Sequence, residues 1–252
     1  MKSATENIFS IDILGVRIDQ IDEAGSMNII RHAVENRKRL RVITANPELI
    51  YHAEKDEPLR DMINSADVIV PDGVGVVWAA RILGKELKQR VTGIDLAIRI
   101  LEEGSKNGWR IFLLGSKPGV AQKAATEQSK VFPGVIFASH HGYFTREEEP
   151  ALLDKIRDFA PDVLLTGLGA PKQEYWNQEN NDLAPVKMGV GGSLDVLAGE
   201  VKRAPQFFQR WGIEWLYRLI SEPSRIRRQV VLPLYLMRVI QQKHRHTGHK
   251  ET

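Results

Sequence analysis

The strongest constraint on this chain is an alternation along its first three quarters. Short β-branched or aliphatic runs at Leu40–Ile43, Val68–Val70, Arg110–Leu114, Val135–Ala138, Asp162–Thr166 and Val186–Val190 are separated by segments of helical spacing: Glu23–Asn36, Gly75–Leu83, Ile94–Asn107, Val120–Val131 and Glu147–Phe159. Runs apolar at nearly every position belong to strands buried on both faces, and strand–helix alternation implies βαβ units around a mostly parallel sheet. The expected fold is therefore α/β and Rossmann-like, with helices on both faces of the sheet. Ile8 to Ile21, alternating apolar and polar residues around Gly15, reads as a small edge β-hairpin in front of it.

The last quarter breaks the rhythm. Pro205 to Gln242 has no strand signal, and its large apolar residues interleave with Arg210, Arg218, Arg225, Arg227 and Arg228. Two or three short amphipathic helices, broken at Pro223 and Pro233, are expected there. The chain divides into a catalytic body, residues 1–201, and a helical appendage, residues 202–252.

Charge follows the same division. The whole chain of 252 residues carries a formal net charge of only +3, but residues 202–252 hold +8 and residues 1–201 hold −5. A basic, aromatic-rich tail on an acidic body points to an anionic partner: phosphate, nucleic acid or an anionic membrane surface. Glu6 and Asp12 interrupt the apolar core that a secretory signal needs, and Val230–Ile240, which contains Pro233 and Arg238, is too short to span a bilayer. The absence of cysteine excludes a thiolate metal site and a cysteine nucleophile.

In an open α/β sheet the site lies beyond the carboxyl ends of the strands. The residues there are Thr44 and Asn46; Asp72 and Gly73; Gly115, Ser116 and Lys117; His140 to Tyr143; Gly167 to Gln173; and Gly191-Gly192-Ser193. Small and polar groups thus collect at one edge. Glycine turns leading into helices offer N–H groups to an anion such as a diphosphate. Gly191-Gly192-Ser193 reads equally as a tight turn with Ser193 as helix N-cap. Asp72 has two readings as well: N-cap of a helix starting near Val74, or a carboxylate beside apolar walls acting as general base. Trp78 and Trp176 read as core. His140 and His141 lack a spaced third ligand and no Asp-x-Asp pair is present, which disfavours a metal, and no cofactor is called for.

Taken together these residues resemble the WecG/TagA/CpsF glycosyltransferases. The matching stretches are Thr44-Ala-Asn46, Ala66-Asp67 with Pro71 through Val77, Arg90-Val-Thr-Gly93, Gly167 through Glu174, Gly189 through Asp195, and Lys202-Arg-Ala-Pro205 followed by Glu214 through Arg218. Order and spacing fit from about Ile13 to Arg228.

The resemblance implies an inverting, metal-independent transfer of a sugar, commonly N-acetylmannosamine, from a UDP-sugar to the GlcNAc of a polyprenyl diphosphate. That reaction serves bacterial envelope polysaccharide synthesis, such as the teichoic acid linkage unit. UDP-ManNAcA or UDP-glucose are alternative donors. By the same resemblance Asp72 is the base, and Thr44, Asn46, Arg90 and Gln173 are polar site residues. Arg218, Arg225 and Arg228 complete the site over the diphosphates. Lys172, Gly169, Gly115, Ser116, Tyr143, Gly191, Gly192 and Asp195 join them as expected substrate contacts. The implied location is the inner face of the plasma membrane, with the tail on anionic lipid; an apolar docking surface could also serve a homo-oligomer.

Two other classes compete. A nucleic-acid-binding α/β protein would use the basic tail but leave Asp72 and the glycine turns idle, and the helical interleaving of apolar and basic residues suits a membrane better. A nicotinamide-dependent oxidoreductase would keep the fold but lacks the full glycine fingerprint and the acid about 20 residues beyond it.

Overall fold

The computed structural model describes residues 8–87, 89–205, 207, 208, 217 and 231–248. Strands β1 (Ser10–Ile13) and β2 (Val16–Asp19) form an antiparallel hairpin whose turn residues, Leu14 and Gly15, both have positive φ, as tight hairpins require. The hairpin is a separate two-stranded sheet, not an edge of the main one. The main sheet comprises β3 (Leu40–Ala45), β4 (Val68–Pro71), β5 (Arg110–Gly115), β6 (Ile136–His140), β7 (Val163–Gly167) and β8 (Val186–Gly189). Its order is β4-β3-β8-β7-β5-β6, and every pair is parallel.

Alternate residues of each strand feed different cores. Val42, Val68, Val70, Ile111, Leu113, Val163, Leu165, Val186 and Met188 pack on one face with α1 (Glu23–Glu35), α5 (Gly93–Asn107), α6 (Val120–Val131) and α9 (Ser193–Leu197). On the opposite face, Ile43, Ala45 and Ile69 pack with the hairpin, α2 (Pro47–Lys55), α3 (Glu57–Asn64) and α4 (Val74–Ile82). Phe112, Leu114 and Leu164 pack there too, with α7 (Glu149–Phe159) and α8 (Lys172–Glu179). Both faces are covered, which is why these strands read as mostly apolar runs, with Arg41, Thr44, Thr166 and Lys187 as buried polar exceptions.

The last described helix, α10 (Val231–Gly248), contains Pro233 as its third residue, so the proline does not break it. This helix is seated on α2 and α4. Tyr235 and Val239 are fully buried beside the hairpin core. Arg238 forks onto Glu54 of α2, with Nε donating to both carboxylate oxygens at 2.9 and 3.1 Å. Gln242 accepts from the Leu14 N–H at 2.9 Å and donates to Asp12 Oδ1 at 2.7 Å. Among the described residues, no helix is long and apolar enough to cross a membrane.

Candidate active site

A cavity of about 330 Å³ opens beyond the carboxyl ends of β3, β4, β7 and β8, within the usual range for small-molecule sites. Thr44, Asn46, Asp72, Arg90, Gly169, Gln173, Gly191 and Gly192 line it, together with Thr92, Gly93, Glu174, Val231 and Leu232. Eight of the residues expected from sequence are thus brought together, and α10 closes one side.

Each polar group is set by a local cause. Thr44 is buried and donates through Oγ1 to Gly189 O at 3.2 Å, tying β3 to β8. Asn46 caps α2, its Oδ1 accepting from the Leu49 N–H at 2.9 Å, with Pro47 in the first turn. Asp72 does not cap α4. The cap position is Gly73, whose φ of 97° is open to glycine, and no side chain closes that helix end. The chain at Asp72 is held by its N–H donating to Ala45 O at 2.9 Å, and Val91 N–H donates to Pro71 O at 3.0 Å. This brings Arg90-Val91-Thr92 alongside β4. Thr92 then caps α5 by accepting from the Asp95 N–H, and the next residue, Gly93, presents its N–H to Asp72 Oδ2 at 3.4 Å. The acid therefore faces a helix start from which it did not grow.

Gln173 and Glu174 form the opposite wall. Gln173 Oε1 accepts from the Gly191 N–H at 3.1 Å, and its Nε2 donates to Glu174 Oε1 at 2.8 Å. A Cβ on Gly189 would stand 2.5 Å from Gln173 Nε2, so β8 must carry glycine for the amide to lie there. Glu174 is 3% exposed, and burial pushes its carboxyl up to about 7.

The glycine turn after β8 departs from expectation. Ser193 is not the N-cap: Gly192 is, and Ser193 N–H donates to Val190 O at 3.0 Å. With Gly191 N–H given to Gln173, two N–H groups expected to face an anion are engaged by the protein itself.

Five expected contacts do not line the cavity. Ser116 donates to Asp195 Oδ1 at 2.7 Å, tying the end of β5 to the first turn of α9. Gly115 packs so tightly on Gly167 that a Cβ would lie 2.5 Å from its carbonyl. Gly142 packs on Gly115 and Leu168, and Tyr143 beside it is 67% exposed. The Lys172 ammonium sits 5.3 Å from the Phe144 ring centroid. These groups occupy the next stretch of the same sheet edge. Arg218, Arg225 and Arg228 lie outside the described residues. His140 and His141 lie at a separate concavity with Gln122 and Lys155. Trp176 is core, whereas Trp78, on the outer side of α4, is 37% exposed.

Thr92, Gly93 and Glu174 were not singled out as site residues from sequence. The Thr92-x-x-Asp95 spacing is a helix-start signal that could have found the first two. Glu174 carries no such signal, because its burial depends on packing between α8 and β8.

A parallel α/β sheet with an acid, a guanidinium and amide and hydroxyl groups converging on a cavity at its carboxyl edge has the outline of an α/β enzyme site. The sequence profile of the family described as "Glycosyl transferase WecG/TagA/CpsF family" matches residues 11–249. The chain belongs to that family and is a glycosyltransferase. The match runs past Arg228, to which order and spacing had fitted, and takes in α10. Relatives include the N-acetylglucosaminyldiphosphoundecaprenol N-acetyl-beta-D-mannosaminyltransferases of Staphylococcus aureus strains MW2 and MRSA252. Each is 37% identical over 241 residues, covering 94% of this chain and 94% of the relative.

Proposed function

We propose that this protein transfers N-acetylmannosamine from a UDP-sugar to the GlcNAc of a polyprenyl diphosphate, with inversion, in the assembly of a teichoic acid linkage unit or a related envelope polymer. The observation that carries the reading is the convergence of Asp72, Arg90, Thr44, Asn46 and Gln173 on one cavity in a chain 37% identical to enzymes named for this transfer.

In this reading Asp72 takes the proton of the acceptor hydroxyl as that oxygen attacks the anomeric carbon, and the bond to the UDP oxygen breaks on the opposite face. UDP leaves with the bonding electron pair. Arg90 and the appendage arginines 218, 225 and 228 offset the charge on the departing diphosphate, for which guanidinium forks are suited. Ser116, Asp195 and Tyr143, further along the same edge, take the nucleoside end.

Residues 1–201 hold the nucleotide-sugar, and residues 202–252 bring the enzyme to the lipid-linked acceptor. Support comes from α10. While Tyr235 and Val239 face the core, Leu234, Met237 and Ile240 are exposed, followed by exposed Lys243 and Arg245. Such a face suits the headgroup region of an anionic bilayer.

The test is a panel of UDP-sugars with a short-chain lipid-diphosphate GlcNAc acceptor, the product identified by mass. Addition of N-acetylmannosamine is expected; addition only of its uronic acid or of glucose would replace the donor, and no product from any of them would overturn the reading. Co-sedimentation with anionic vesicles tests the second part. Substituting Leu234, Met237 and Ile240 by serine should release the protein into the supernatant, and unchanged binding would refute that role for α10.

A further inference from the structure

Glu174 is a buried acid that the proposed chemistry does not use. It stands in the first turn of α8, lines the cavity, and is 3% exposed. Among the described residues its Oε2 is enclosed and has no hydrogen-bond partner. A buried polar atom left unpaired costs stability, and an apolar side chain of similar size would be cheaper for the fold. Sites that break the rule of polar satisfaction are where function is to be sought.

Among the described residues, its side-chain partner is the Gln173 amide. A carboxamide has two ends that a flip interchanges, and both are held here. The Gly191 N–H requires an acceptor, which is Oε1; Glu174 Oε1 provides an acceptor, which takes one hydrogen of Nε2. Gly189, lacking a Cβ, lets the amide lie flat against β8 between these anchors. Nε2 carries two hydrogens, and Glu174 uses one. Burial raises the acid's proton affinity, so the pair adds less negative charge to a wall that must accept a diphosphate than an exposed carboxylate would.

We propose that Glu174 is a positioning residue, which fixes the Gln173 carboxamide so that its second amide hydrogen is donated to a diphosphate oxygen of the bound nucleotide. The proposal rests on the reading of the cavity as a nucleotide-diphosphate site.

Calorimetric titration of UDP into the full-length protein tests it without needing the correct sugar or acceptor. Glu174→Met fills the space but removes the acceptor. It should weaken UDP binding about tenfold, the loss expected for one hydrogen bond to a charged group, while melting at or above the wild-type temperature. Glu174→Gln keeps an acceptor oxygen and should bind within about twofold of wild type. In a Gln173→Ala background, Glu174→Met should add no further loss, because the two residues act as one unit. A purely structural acid would give the reverse pattern, with lower melting and additive losses. Wild-type affinity in Glu174→Met, or full additivity with Gln173→Ala, would overturn the proposal alone. If the wild-type protein does not bind UDP, the nucleotide-diphosphate reading and this inference fall together.

Discussion

The Gly93 N–H, at the first residue of α5, points at Asp72 Oδ2 from 3.4 Å, across 21 residues of sequence. The acid after β4 is thus oriented by the start of the next helix but one, while Gly73 takes over the cap of the adjacent one. In the proposed function this carboxylate, which does not cap α4 and lines the cavity, takes the acceptor proton. Asp72→Asn preserves the shape and the acceptor for Gly93. It should lower transfer by roughly 10²–10⁴-fold, the usual contribution of a general base, with UDP affinity little changed. Activity near wild type in a product-mass assay would remove Asp72 from that role.

Gly189 exists for Gln173. In Gly189→Ala the new Cβ would lie 2.5 Å from Nε2 and 3.0 Å from Cδ of that side chain, so the amide must leave its seat. Transfer should fall at least about tenfold. Retention of full activity would show that the amide position is unimportant.

Stability should depend on pH through Glu174. Its carboxyl lies near 7 in the folded protein against an ordinary 4.5, so the native state holds a proton that the unfolded chain has released. This contribution is fully present below about pH 4.5, is lost as pH rises to about 7, and is flat beyond. Its size is about 3 kcal/mol as an order of magnitude. Denaturant unfolding of wild type and Glu174→Gln at pH 5 and pH 8 should show the wild type losing more stability than the variant between the two.

Tyr235 is fully buried with no hydrogen-bond partner for its hydroxyl among the described residues. Tyr235→Phe should be neutral or stabilising by about 1 kcal/mol, and Tyr235→Ala destabilising by about 3–5 kcal/mol. Chains ending before Val231 should lose comparable stability, because Tyr235 and Val239 complete the core under the hairpin. Equilibrium unfolding distinguishes these cases from a tail that contributes nothing.

Arg203, at the root of the appendage, pairs with Asp95, whose other oxygen accepts from the Thr92 hydroxyl. Both partners are about 30% exposed, so the pair should contribute less than about 1 kcal/mol. A double-mutant cycle of Arg203→Ala and Asp95→Ala should return a coupling of that size. A cycle energy of zero would mean that this ion pair does not help to hold the root.

The sheet strands were legible because burial on both faces leaves their middles mostly apolar, as in Arg110–Gly115 and Val163–Gly167. The boundaries drifted by a residue or two: β3 continues to Ala45, and α5 begins at Gly93. Helices α2 and α3 went unread although Asn46-Pro47 and Asp56-Glu57-Pro58 are strong start signals, each an N-cap with a first-turn proline. In α2 the cap residue Asn46 had been assigned only to the site; it does both.

Sequence alone determined the alternation, the family and the group of polar residues at one sheet edge, since these follow from local periodicity and from motifs a few residues long. Tertiary structure decided what each group is for. Whether Asp72 caps a helix depends on the backbone of Gly73 and on a helix 21 residues away. The turn after β8 yields its Gly191 N–H to Gln173, 18 residues earlier, and Glu174 has a changed proton affinity because α8 lies against β8. Arg238, read as part of a basic tail, is neutralised by Glu54 from 184 residues away. Hydrogen-bond geometry and desolvation are properties of neighbours in space, and in this fold those neighbours come from distant stretches of the chain.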